Sequence, residues 1–137
     1  MPSEHPARAA SQQSMRAVEG KTKEAWLDLF DDDALIEDPV GSSPLDPEGK
    51  GHRGQAAISA FWDTFIGPNT IKFDIRHSYA AGNEVANVGT IATTMPDGTQ
   101  AIAEGVFVYK VNDRGKLVSL RAFWEFEHTM ARMMRAP

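Results

Sequence analysis

Asp38 is the residue best placed in this sequence to move a proton. It closes the apolar run Ala34-Leu35-Ile36, stands between Ile36 and Val40, and precedes Pro39, which ends the strand. A carboxylate with little solvation above an apolar floor gains basicity without becoming permanently protonated, which is what a general base needs. Aspartate before proline also suits a turn cap, so a catalytic and a merely local role stand side by side at this position. Asp31-Asp32-Asp33 offers carboxylates for a hard cation, but no carbonyl-rich loop motif adjoins it. His5, His52, His77 and His128 lie far apart with no metal-ligand spacing, and cysteine is absent. No resident metal or cofactor is therefore expected. Gly-rich phosphate-binding patterns are missing as well.

The elements that must hold Asp38 fit into one domain over residues 1–137, with residues 1–10 expected to be flexible. The balance of 14 basic and 19 acidic side chains gives a net charge of −5, with no basic stripe, which speaks against nucleic acid and anionic membranes as partners. The start, MPSEHPARAASQQ, lacks the apolar centre of a signal peptide, and nowhere does the chain run to the roughly 18 apolar residues of a membrane span. The expectation is a cytoplasmic protein.

Spacing of apolar residues predicts helices over Ala9–Glu19, Thr22–Phe30 and Gly54–Ile66, the last with Ile58, Phe61, Trp62 and Phe65 on one side. Three carboxylates at 31–33 oppose a helix dipole, so a strand Ala34–Asp38 follows the second helix. An irregular stretch, Pro39–Gly54, reads as a lid over a pocket mouth. From Ile71 the texture becomes β, with runs Ile71–Ser78, Glu84–Met95, Gln100–Val111 and Lys116–Glu127 separated by turn residues such as Pro96-Asp97-Gly98 and Asn112-Asp113-Arg114-Gly115. Helices followed by a strand meander give an α+β domain in which helices cover one face of a bent sheet and leave an apolar pocket at its open end. The tail from His128, with Met130, Met133, Met134, Arg132 and Arg135, reads as a short amphipathic helix.

The segment Leu29-Phe30-Asp31-Asp32-Asp33-Ala34-Leu35-Ile36-Glu37-Asp38-Pro39-Val40-Gly41, with Gly51-His52-Arg53-Gly54 and the helix ending Ala60-Phe61-Trp62, resembles the ketosteroid isomerase family. Ser11-Gln12-Gln13-Ser14, Pro47-Glu48-Gly49-Lys50-Gly51 and Val106-Phe107-Val108-Tyr109-Lys110-Val111-Asn112 resemble its actinobacterial steroid-isomerase-like branch. The resemblance runs from Ser11 to Phe126. It implies an NTF2-like (cystatin-like) cone, a curved antiparallel sheet with three helices from the N-terminal half enclosing an apolar pocket. It also implies that Asp38 takes a proton from the carbon beside a steroid ketone and returns it two carbons away.

The family also places donors around the developing enolate oxygen, and here the sequence departs from it. The first-helix tyrosine falls on Gln13 or Ser14, the protonated aspartic acid of the penultimate strand on Phe107, and two buttressing tyrosines on Phe30 and Trp62. Substitutes are Tyr109, on the same strand face as Phe107, the Gln13 amide, or the Trp124 indole. Loss of oxyanion donors implies weak isomerase activity or a pocket that binds without turnover. By the same resemblance the ligand meets Val18, Thr90, Ala92, Gly105, Phe107, Leu120, Ala122 and Trp124. The expected partner is a small hydrophobic ligand, steroid-like or a polyketide, together with a second copy of the chain paired through the outer sheet face. Besides an isomerase, a non-catalytic carrier and a SnoaL-like polyketide cyclase fit these residues. An epoxide hydrolase needs an Asp-Arg-Asp relay, whose second aspartate position is Phe107.

Overall fold

The computed structural model describes residues 4–133. Three helical pieces come first: α1 (Pro6–Glu19), α2 (Lys23–Asp28) and α3 (Gln55–Phe61), the last running on into a π-helical turn over Trp62–Ile66. Between α2 and α3 lie β1 (Phe30–Glu37) and the two-residue β2 (His52–Arg53). The meander β3 (Thr70–Ala81), β4 (Glu84–Thr94), β5 (Gln100–Val111) and β6 (Leu117–Phe123) follows, and α4 (Phe126–Ala131) is the last element among the described residues.

The strands form one six-stranded sheet in the order β2-β1-β6-β5-β4-β3. It is curved and left open, with the helices against its concave face, as the α+β reading expects. One ladder differs from the antiparallel expectation: β1 runs parallel to β6, with Ile36 opposite Leu120. The reason is topological. The chain enters β1 from α2 and reaches β6 only after the whole meander, so no hairpin forces those neighbours to run in opposite directions.

Several boundaries also move. α1 starts at Pro6, so residues 6–10, expected to be flexible, are helical with Ala7 and Ala10 buried. Proline at the first helical position needs no N–H partner, and the His5 imidazole accepts from the Ala7 N–H. The three aspartates lie inside β1, where the ladder to β6 slips between Phe30 and Leu35. Asp31 faces Asn112 and Arg114, and Asp33 faces Arg53, so flanking cations replace the hard ion considered for this run. The Pro39–Gly54 stretch contains β2 and a turn bridged between Ser43 and Asp46. Met134 and Arg135 lie outside the described residues.

Curvature has a local cause. Gly89 and Gly105 are opposite one another on β4 and β5. A Cβ at Gly89 would collide with the Asp74 carbonyl oxygen of β3, and one at Gly105 with the Phe123 carbonyl oxygen of β6. Flanking backbones approach there because neither glycine carries a side chain, and β3 has a bulge between Ile75 and His77 beside Gly89. The core packs under this bend, with Trp26 edge-on to Phe30 at 4.8 Å and tilted on Trp62 at 5.2 Å. Ile36, Ile58, Val85 and Leu117 are fully buried around it.

Candidate active site

The cavity holds about 260 Å³ between the concave sheet face and the helices. That is near the small end for ligand sites, which run from about 300 Å³ upward, so a bound molecule must shed most of its water. Ser14 and Val18, four apart on α1, share the face that looks into it. Phe61, Phe65 and Ile66 arrive from α3 and its π-helical turn, and Leu45 is the contribution of the Pro39–Gly54 stretch. β4 supplies Ile91 and Thr93, β5 supplies Ala101, Ala103, Phe107 and Tyr109, and β6 supplies Leu120 and Ala122. Trp124 and the α4 residues Phe126, Thr129 and Met130 close one side.

Asp38 follows directly on β1, in a cis peptide bond to Pro39, and its carboxyl reaches this cavity. It keeps some accessible surface because one side looks into the hollow, while the surrounding side chains keep bulk water away. Burial raises its proton affinity above the ordinary carboxylate range. Two neighbours work against that. The Trp124 indole donates to Asp38 Oδ1 at 2.6 Å, and the charge of His52 favours the ionised form. His52 sits opposite Ile36 on β2, with its ring 4.9 Å from that of Phe61.

Tyr109 also faces the cavity, and its phenol is pushed well above the ordinary range, first by burial and then by the Asp38 charge, against a hydrogen bond from Ser14. Ser14 in turn accepts from the Trp26 indole at 3.1 Å. One end of an otherwise apolar hollow thus holds a dehydrated carboxylate and a neutral phenol, the pair that enolisation of a ketone requires.

Of the expected wall residues, Val18, Phe107, Leu120, Ala122 and Trp124 stand on the cavity. Thr90 and Ala92 do not: the inward row of β4 has odd numbers, and a one-residue slip carries a strand's side chains to the other face. Both rows of β4 mix small, β-branched and threonine residues, so the pattern gave no warning. Gly105 lies in the inward row of β5 but has no side chain and is shut off by β6. Gln13 is exposed on α1, which leaves Ser14 as the inward residue of that pair. Trp124 cannot serve as an oxyanion donor, since its single N–H is engaged by Asp38. The apolar spacing of the second helix marks Trp26 only as a core residue. The signal for its polar task was a serine on the buried face of α1, where small residues Ala7, Ala10, Ser11 and Ala17 surround it.

Among the described residues no three histidine, aspartate or glutamate side chains cluster as metal ligands, and no helix is long and apolar enough to cross a membrane. The family described as the SnoaL-like domain matches residues 11–120. The chain is 30% identical over 117 residues to the steroid Δ-isomerase of Nocardioides simplex, covering 85% of this chain and 88% of that protein. Its structure is similar to that of the Δ5-3-ketosteroid isomerase from Mycobacterium sp., with a TM-score of 0.87 and 39% identity over 96% of this chain and 98% of that one. It is similar as well to RV0760c of Mycobacterium tuberculosis in complex with estradiol-17β-hemisuccinate, with a TM-score of 0.87 and 33% identity over 96% and 99% of the two chains.

Proposed function

Because the chain belongs to the SnoaL-like domain family of the NTF2-like superfamily, we propose that it is a steroid Δ-isomerase-like protein which takes a steroid-like or other polycyclic ketone into the cavity and moves a proton on it, with Asp38 as the base. The observation that carries this reading is the Asp38 carboxyl, dehydrated, raised in proton affinity and facing an apolar hollow. In the proposed step Asp38 removes a proton from the carbon beside the ketone, and the electron pair left behind spreads into an enolate. The protonated carboxyl then returns the proton two carbons away, so the double bond shifts and nothing is consumed. Phe107, Leu120 and Ala122 would hold the ring faces, and neither metal nor cofactor has a part.

The test assays a Δ5-3-ketosteroid for its double-bond shift beside a titration with estradiol. Turnover that disappears in Asp38→Asn while estradiol binding persists supports the isomerase. Turnover unchanged by Asp38→Asn removes the mechanism. A second reading, a carrier for the same ligands, is favoured by Phe107, an apolar ring where the isomerase family has a donor; tight binding with no shift in the wild-type chain would establish it. Aspartate-driven cyclisation of a polyketide needs the same carboxylate and stands behind these two.

We read the outer face of the sheet as the pairing surface for a second copy. Val88 and Val106 are cross-strand partners there, as are Ala86 and Val108, and Tyr79 and Phe123 expose 65% and 42% of their surface.

A further inference from the structure

We propose that Tyr109 donates a hydrogen bond to the ligand's oxygen, and that Trp26 and Ser14 are positioning residues fixing the direction of that donation; this rests on the reading of the cavity as a ketone site. Trp26 and Ser14 are 1% and 2% exposed, and Tyr109 is 3% exposed. The Trp26–Ser14 contact is thus shielded from bulk solvent. An indole has one donor and no acceptor, so the 3.1 Å bond from Trp26 Nε1 to Ser14 Oγ runs one way only. With its oxygen accepting from Trp26, the Ser14 hydroxyl is left to donate, and in this proposal its proton goes to the hydroxyl of Tyr109, which lines the same cavity and lies within its electrostatic reach. The Tyr109 oxygen is then the acceptor, and its own proton turns onward to the cavity that the residue lines.

Three donors in series each polarise the next. Burial and the nearby Asp38 charge keep Tyr109 in its phenol form, so it can donate but does not act as a base. Asp38 meanwhile takes its hydrogen bond from Trp124. Carboxylate and phenol sense each other through space, and a ligand placing an acceptor oxygen at Tyr109 and an acidic C–H at Asp38 would fill the interval. The ligand class is therefore a ketone or phenol whose oxygen lies within a few bonds of the reacting carbon. The same row accounts for Phe30 and Trp62, where the resemblance would have hydroxyls: both rings pack on Trp26 and hold its indole in place.

Estradiol and 3-deoxyestradiol, which differ by the phenolic oxygen, are the probes, with dissociation constants from fluorescence titration. The wild-type chain is expected to prefer estradiol by about tenfold, the scale of one hydrogen bond in a dry site. Tyr109→Phe keeps the ring and should bring the ratio to about one, with an unchanged circular dichroism spectrum. Ser14→Ala should lose part of the preference, Ser14→Thr should restore it, and Ser14→Ala should add nothing to Tyr109→Phe. A wild-type chain that binds both probes equally, or a preference that survives Tyr109→Phe, overturns the donor assignment while leaving the cavity reading intact. Loss in the double variant that sums the single losses overturns the directional row. If the wild-type chain binds neither probe, the ketone reading itself fails and takes this inference with it.

Discussion

Trp124→Phe separates the hydrogen bond to Asp38 from the wall that Trp124 helps to build. The phenyl ring retains an aromatic surface against the cavity, while the 2.6 Å bond from the indole to Asp38 Oδ1 disappears. A hydrogen bond to a charged group contributes about 1.5–3 kcal/mol, and here it stabilises the carboxylate over the carboxylic acid. At 1.36 kcal/mol per factor of ten, its loss favours the protonated form by about 10- to 150-fold. The acid limb of kcat/KM should therefore move to higher pH, with rates on that limb falling by about the same factor. On the plateau the two proteins should differ little, because a carboxylate relieved of its donor is the stronger base. His52, which also favours the charged form, is present in both proteins and cancels in the comparison. The assay is Δ5-3-ketosteroid isomerisation followed by ultraviolet absorbance across the pH range, with ¹³C NMR of the Asp38 carboxyl as a readout that needs no turnover. A uniform loss at every pH, or a limb that moves to lower pH, refutes the assignment of the indole as the donor that sustains the carboxylate.

Asp38→Asn should raise stability at alkaline pH. The folded protein binds the Asp38 proton more tightly than the unfolded chain, so the charged form destabilises the fold above the folded titration range. That penalty shrinks as pH falls through this range and is gone below about 3.9, so the melting temperatures of wild type and variant should differ at pH 8 and converge near pH 3. Gly89→Ala should cost about 1–3 kcal/mol in urea unfolding, since the added methyl meets the β3 backbone; an unchanged midpoint would show that the bend gives way without cost. Val108→Lys, on the outer face, should shift the light-scattering mass from two chains to one, and a mass unaffected by the lysine moves any pairing surface elsewhere.

The meander was legible because its turns are punctuated by glycine, proline and asparagine, and β5 occupies the predicted Gln100–Val111. Helices α1 and α3 were legible from apolar spacing, although the switch to π geometry at Trp62 leaves no mark in composition. β6 stops at Phe123 and not Glu127, because the backbone turns at Trp124 and enters α4. Asp38 stood out as a charged residue at the end of an apolar strand. The polar row behind Tyr109 did not, since it joins residues 14, 26 and 109 from three elements, and sequence spacing carries no information about such meetings. The inner face of β4 was lost for a related reason: its two rows are chemically alike, and only contact with β3 and β5 decides which one turns inward.

The glycine pair at 89 and 105 divides labour between backbone and side chains. How far the sheet curls is settled at two positions that present nothing to a guest molecule, whereas the shape of the hollow is settled by Ile91, Thr93, Ala101 and Ala103 along the same strands. Exchanges at those four sites can resculpt the interior for a longer, flatter or more polar occupant without disturbing the scaffold's curvature, which makes them the natural positions for retargeting this domain.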